Sequence, residues 1–387
     1  MMLCRMAGGS FGALRSPAVS KIPRPLKTLM SQQSPFGSPQ ECRGPRRILA
    51  VVCPALLFVL ALGFAGCGPS AGPPAPGSAP LELLNASYDP TRELWRDLNA
   101  SFVADFERRT GTRLTINQSH GASGSQSRAV IDGLEADVAT LSVWPDTEAL
   151  HRKGLLRDGW EEAFPQRSLP YTSTVVFVVR RGNPHKIRDW PDLVDRPIEI
   201  ITPSPKTSGN GRLSLLAAWG SVVRTGGTEQ DAERFLAALY ARVPVLDTGA
   251  RGATTTFAQK GMGDVHLALE SEAKLEVAES EGALELVYPP RSILHEPHVA
   301  VVDQVVDARG TRAVAEAYLR HLYTPEGQQI IARHHFRPSL PEIRRAHAAD
   351  FPEIELFSVQ DLVPGWDKAQ AKFFADNGVF DRIYRPR

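Results

Sequence analysis

From Leu81 onward the chain alternates between short apolar or β-branched runs and longer segments that repeat an apolar residue every three or four positions. Strands of period two and helices of period 3.6 in alternation can bury their apolar faces only as layers, so the rhythm restricts this part of the chain to an α/β fold with largely parallel sheets. Strands are expected over residues 81–86, 137–143, 172–179, 198–202, 243–246, 265–269 and 299–302, with a further one around Leu114 and Ile116. The run TSTVVFVV is β-branched and aromatic throughout and reads as a central strand. Between them, Leu94, Leu98, Phe102 and Phe106 form one helical stripe that Gly111 terminates. Asp89-Pro90 reads as the cap and first position of that helix. Further helices are expected over 123–133, 228–240, 250–259 and 311–323, and from the Ser/Gly turn after 202 through Trp219.

What precedes Leu81 has a different character. Arg43, Arg46 and Arg47 stand before the apolar run 48–64, which ends Phe64-Ala65-Gly66-Cys67. A basic start, an apolar middle and a small-residue end define an export signal, and cysteine after Ala-Gly has the form of a lipobox with Cys67 as the lipidated residue; the other readings are ordinary cleavage nearby and an uncleaved anchor. Met30 is a second candidate start. Residues 68–80 (GPSAGPPAPGSAP) contain nothing that builds a core and read as a tether. All four cysteines, Cys4, Cys42, Cys53 and Cys67, lie in this leader, so the body has no thiol for a disulfide, a metal site or a nucleophile. Lys+Arg 44 against Asp+Glu 43 is a balance that argues against a nucleic-acid binder.

Four strand-to-helix turns share one chemistry: Ser87–Pro90, Ser119–Gly124, Lys206–Gly211 and Thr248–Gly252. Each places small or hydroxyl residues where a helix begins. The first N–H groups of a helix have no intrahelical acceptor and carry the positive end of its dipole, so several such starts facing one cleft make an anion site without a lysine in contact. Taken singly, each turn is equally a plain helix cap. No HExxH, P-loop or dinucleotide fingerprint occurs in the body, and the GASGS segment at Ser123 lacks the second glycine of a nucleophile elbow at its required place.

The segments LLNASYDPTRELW, INQSHGASGSQ, PYTSTVVFVVRRGNP, ITPSPKTSGNGR, VLDTGARGATTTF, TRAVAEAYLRHLYTPEGQ and PGWDKAQAKFFADNGVFD occur in that order. Over residues 81–384 the chain resembles the sulfate-binding proteins of sulfate/thiosulfate ABC importers. That resemblance implies a two-lobed periplasmic binding protein fold of type II, with the ligand in the cleft between the lobes. The lobe boundaries expected from it are 81–170 together with 275–387 for the first lobe and 171–274 for the second, after a leader 1–67 and the tether 68–80. It implies an extracytoplasmic monomer that is not an enzyme, uses no cofactor or metal, and hands its ligand to the membrane subunits of an ABC permease; the Cys67 lipobox adds the expectation of a lipid anchor. The site residues it implies are Asp89 through its backbone N–H with its carboxylate capping the helix, Ser123 through hydroxyl and N–H, the Ser208 hydroxyl, and the N–H groups of Gly209, Asn210 and Ala250. His120 and Arg251 are expected just behind them, Arg251 either steering anions or in an ion pair.

Two positions depart from the family pattern. Asn210 stands where the family has glycine, which narrows the allowed φ. Leu269 stands where the family has a tryptophan whose indole donates to the anion, and loss of such a bond costs about 1.5–3 kcal/mol. Trp144, where the family has a small residue, either supplies the missing indole from across the cleft or is a core or rim tryptophan. Sulfate carries no proton at neutral pH and needs only donors, whereas phosphate keeps a proton that needs an acceptor. The alternatives are a receptor for thiosulfate, molybdate or phosphate, a sensory receptor on the same fold, and an exported sulfate- or phosphate-ester hydrolase using Ser123 or Ser208.

Overall fold

The computed structural model describes residues 80–384. The leader, Cys67 and the tether as far as residue 79 lie outside the described residues. The described chain builds two sheets. The first takes β1 (Leu81–Tyr88), β2 (Leu114–Gly121), β3 (Val138–Thr140) and, after a long excursion, β10 (Val299–Val301), in the order β10-β3-β1-β2. The second is ordered β12-β9-β4-β7-β5-β6, from β4 (Tyr171–Arg180), β5 (Ile200–Pro203), β6 (Leu246–Asp247), β7 (Val265–Leu269), β9 (Arg291–His295) and β12 (Glu355–Phe357), with β8 (Leu284–Val287) and β11 (Arg337–Pro338) also on β4.

Local signals explain the elements. The helix Arg92–Thr110 buries Leu94, Leu98, Phe102 and Phe106, and Gly111 closes it at φ 68° with its N–H on the Glu107 carbonyl. Thr228 and Asp231 form a reciprocal capping box at the helix Glu229–Tyr240. The helix Gly209–Val223 is buried from Gly209 to Ser221, which its apolar composition permits on every face.

The sheets are mixed rather than largely parallel. β1 runs parallel to β2 and β3, and β5 parallel to β6 and β7, but β10 opposes β3 and β4 opposes β7, β8 and β9. The reason is that β4 and β9 cross between lobes. Tyr171, at the start of β4, packs on Phe336 in the first core, while Val175, Phe177 and Val179 lie in the second. β4 and β9 are paired side by side at Ser173–His295 and Thr174–Leu294, just before β9 leads back to β10.

The lobe boundaries also differ from expectation. Strands β8, β9 and β12, within the segment 275–387 assigned to the first lobe, belong to the second sheet. The C-terminal helices follow them: Phe373 stands edge-on to Trp219, and Phe380 to Tyr240, in the second core. The chain therefore returns to the first lobe from β10 through β11 and the helix Pro341–Ala346, and ends on the second. Aromatic surface on the last two helices has its partner on the helices of residues 209–240, and no local pattern reveals that.

The topology directs the site. β1, β2 and β3 end together at Tyr88, Gly121 and Thr140, and β5, β6 and β7 end at Pro203, Asp247 and Leu269. Ligands in open α/β sheets sit beyond such carboxyl ends.

Candidate oxyanion site between the lobes

Tyr88, Asp89, Pro90, Ala122, Ser123 and Ser142 from the first lobe meet Ser208, Gly209, Asn210, Ala250 and Leu269 from the second around one small cavity of about 10 Å³. A drug-sized ligand needs roughly 300–1,000 Å³, so this cavity excludes one and suits only a compact ion. All four turns singled out in the sequence reach it. The helix starts at Ser123, Gly209 and Ala250 and the short turn Asp89–Thr91 all contribute lining residues, and the first N–H groups of a helix start have no intrahelical acceptor. No Lys or Arg is among the described residues lining it.

The lobes are closed on each other. The Gly124 N–H donates to the Thr207 carbonyl at 3.2 Å. Arg212 meets Asp146 at 2.6 Å with both side chains more than nine-tenths buried. The Arg251 Nη2 lies 3.0 Å from both carboxylate oxygens of Glu93, and Arg152 lies 2.6 Å from Asp367. Two glycines make the approach possible. A Cβ on Gly209 would lie 2.5 Å from Ser142 Oγ, and one on Gly249 would lie 2.5 Å from Asp89 Oδ2.

Several expectations about individual groups change. The Asp89 carboxylate does not cap its helix; Oδ1 accepts from Arg92 Nη2 at 2.8 Å, and Tyr88 takes the cap position. Arg92 also donates to the His120 carbonyl at 3.3 Å, so His120 holds the turn through its backbone. Burial, and then the nearby Arg92 charge, hold the His120 ring neutral with a pKa of about 4. The Ser123 hydroxyl is spoken for: it donates to Asp146 Oδ2 at 2.6 Å and accepts from the Ser142 N–H at 3.0 Å. Ser123 therefore faces the cavity with its backbone N–H. Ser208 Oγ accepts from the Gly211 N–H at 3.4 Å as an N-cap, which leaves its own hydrogen for a ligand. Asn210 is helical, and its amide is used by the Leu267 carbonyl and the Ser214 hydroxyl, so glycine's wider φ range is not needed there. Arg251 is an ion-pair member rather than a free steering charge.

Trp144 is not at the cavity. β3 ends at Thr140, and Trp144 opens the helix Trp144–Arg152 with its indole turned to the outer seam, where Nε1 donates to Glu161 Oε1 at 2.7 Å. It lines two wider grooves there, in which acids and bases are interspersed and the helix starts do not converge. An indole already bonded to a carboxylate cannot replace the donor absent at Leu269. Trp144→Phe is accordingly expected to leave sulfate affinity within about twofold, as titration calorimetry would read, since one unperturbed contact shell is worth well under 0.5 kcal/mol.

Ser142 is the lining residue that sequence reasoning missed. It lies just past β3 in a stretch read as continuous strand, where alternation gives a serine no special weight.

A model of the bacterial extracellular solute-binding protein family matches residues 96–337. A sulfate-binding protein of Escherichia coli (strain K12) is 47% identical over 305 residues, covering 78% of this chain and 93% of its own. The chain belongs to the bacterial extracellular solute-binding proteins. Within this family, the thiosulfate-binding protein of Pseudomonas aeruginosa is 46% identical over 306 residues, covering 79% and 92%. The solved sulfate-binding protein of Mycobacterium tuberculosis superposes with a TM-score of 0.69 at 33% identity, covering 76% of this chain and 99% of its own. A periplasmic thiamin-binding protein at 17% identity and a TM-score of 0.58 shares the fold alone. The fold of this solute-binding protein is thus the two-lobed periplasmic binding protein fold, with β4 and β9 as its crossing strands.

Two histidines at the crossing make stability depend on pH. His295 is fully buried and His298 nearly so, and burial lowers both to a pKa of about 4. Only the unfolded chain protonates them near the ordinary 6.5. Above pH 6.5 they therefore cost nothing, and stability falls as pH drops from 6.5 toward 4, by about 1.4 kcal/mol per histidine per unit. Urea unfolding at pH 7, 6 and 5 should show that decline, net of the opposite contribution of buried Glu272, which burial pushes up to about 7; a profile left unchanged by replacing both histidines with glutamine would mean these rings are hydrated.

Proposed function

We propose that the protein is an extracytoplasmic receptor that captures sulfate between its lobes and delivers it to an ABC permease. The observation that carries this reading is the convergence of four chain turns from both lobes on one compact cavity lined by N–H and O–H donors and no basic side chain. Neutral donors stabilise a dianion without an ion pair to break on release. The one carboxylate at the cavity, Asp89, is bound to Arg92 and to that extent is withdrawn from a ligand's proton. A protonated phosphate would set its hydrogen against other donors, so the site favours sulfate over phosphate. Sulfate- and thiosulfate-binding relatives at 47% and 46% identity support the same class of ligand.

Capture works by population. The ligand bridges donors on both lobes and binds the closed form better than the open one, which is the only way it can shift their balance. The closed form then presents both lobes to the permease. The export signal and the Cys67 lipobox favour a location outside the cytoplasmic membrane with a lipid anchor. Among the described residues no helix is long and apolar enough to cross a membrane. The hydrolase alternative finds little support: the carboxylate beside Ser123, Asp146, is tied up in a buried ion pair with Arg212.

Thermal unfolding of the soluble body in sulfate, thiosulfate, molybdate and phosphate tests this reading. Sulfate at about a thousand times its dissociation constant should stabilise by about 4 kcal/mol, with phosphate at the same concentration giving no shift. An equal or larger phosphate shift would point to a different oxyanion receptor.

A further inference from the structure

We propose that Ser142 is a further oxyanion-binding residue, whose hydroxyl donates to the bound anion from the first lobe beside Gly209. The inference rests on the receptor reading above and names a donor that this reading does not include.

The hydroxyls at the cavity can be accounted for one by one. The hydrogen of Ser123 goes to Asp146, so that side chain has none left for a ligand. Ser208 keeps its hydrogen, because its oxygen is the acceptor in the N-cap bond. Ser142 is settled by its neighbour. His295 Nε2 lies 2.7 Å from the Ser142 carbonyl, and a carbonyl only accepts, so Nε2 carries the hydrogen. The same Nε2 lies 3.1 Å from Ser142 Oγ and therefore cannot accept from that hydroxyl. No other acceptor for the Ser142 hydrogen is found among the described residues. Burial keeps His295 neutral with its pKa near 4, so this arrangement persists through the physiological range.

Position agrees with the accounting. Ser142 is 1% exposed and lines the cavity, and its oxygen stands 2.5 Å from where a Gly209 Cβ would be. A hydroxyl there is adjacent to Gly209 but comes from the opposite lobe. Leu269, also lining the cavity, offers no hydrogen. A buried hydroxyl with a free hydrogen beside a dianion site satisfies itself by donating to the ligand. Because Ser142 and Gly209 belong to different lobes, a shared anion also favours closure.

The test is calorimetric titration of sulfate into the wild-type body, Ser142→Ala and Ser142→Cys, with unfolding midpoints measured without sulfate. Loss of one hydrogen bond to a charged group should weaken binding about ten- to a hundredfold in Ser142→Ala, with the midpoint unchanged. Ser142→Cys restores bulk but donates weakly, and it should stay close to the alanine variant. Wild-type affinity in either variant would overturn the role of Ser142 and leave the receptor reading standing. Failure of the wild-type protein itself to bind sulfate would overturn the receptor reading and this inference together.

Discussion

Arg212→Leu should weaken sulfate binding by about two to three orders of magnitude while leaving each lobe folded. Asp146 is the reason. In the closed form its carboxylate is buried, with Oδ1 on Arg212 and Oδ2 on the Ser123 hydroxyl. Removing one partner of a buried pair costs about 3–5 kcal/mol because the other charge is left uncompensated. Opening exposes Asp146 to water, so nearly all of that cost falls on closure, and therefore on ligand binding. The stranded negative charge also stands one hydroxyl away from the anion site. Adding Asp146→Asn to Arg212→Leu removes the buried charge and should recover most of the affinity. Calorimetry on the three variants reads both steps. If Arg212→Leu bound sulfate normally, the pair would contribute little to closure.

Gly209→Ala should weaken binding by about a hundredfold and yet not destabilise the fold. A Cβ at this position would lie 2.5 Å from Ser142 Oγ, 2.6 Å from Ser142 Cβ and 3.6 Å from Ser123 Cβ, all on the opposing lobe. Overpacking of this kind costs about 1–3 kcal/mol or more, and two sub-contact distances place it at the upper end. In the open form that space is free, and alanine is the better helix former by about 1 kcal/mol. Opposite signs in the two measurements distinguish a wedge between lobes from ordinary core damage. Loss of binding together with a lowered unfolding midpoint would indicate the latter.

Much of the site was legible because its parts are local. Ser208 before Gly209, and Gly249 before Ala250, mark helix starts in any context, and a helix start carries its free N–H groups with it. β7 was read with its observed bounds, and the stripe from Leu94 to Phe106 with its cap at Gly111 behaved as its period requires. What was hidden depends on partners distant in sequence. Trp144 follows an apolar run that alternation extends to Val143, but the strand stops at Thr140, and the change of period turns the indole outward to Glu161. The commitment of the Ser123 hydroxyl to Asp146, 23 residues on, and of Ser142 to His295, 153 residues on, lies outside any local pattern. The return of β12 and the last helices to the second lobe is hidden for the same reason.

The central claim is that closed lobes present neutral donors to one sulfate ion. Calorimetric titration of residues 81–387 with sulfate at neutral pH tests it most directly. One site per chain, a dissociation constant of about 1 μM or tighter, corresponding to about −8 kcal/mol, and no competition from phosphate at a hundredfold excess are predicted. No binding at millimolar sulfate, or displacement by phosphate at equal concentration, would contradict the account.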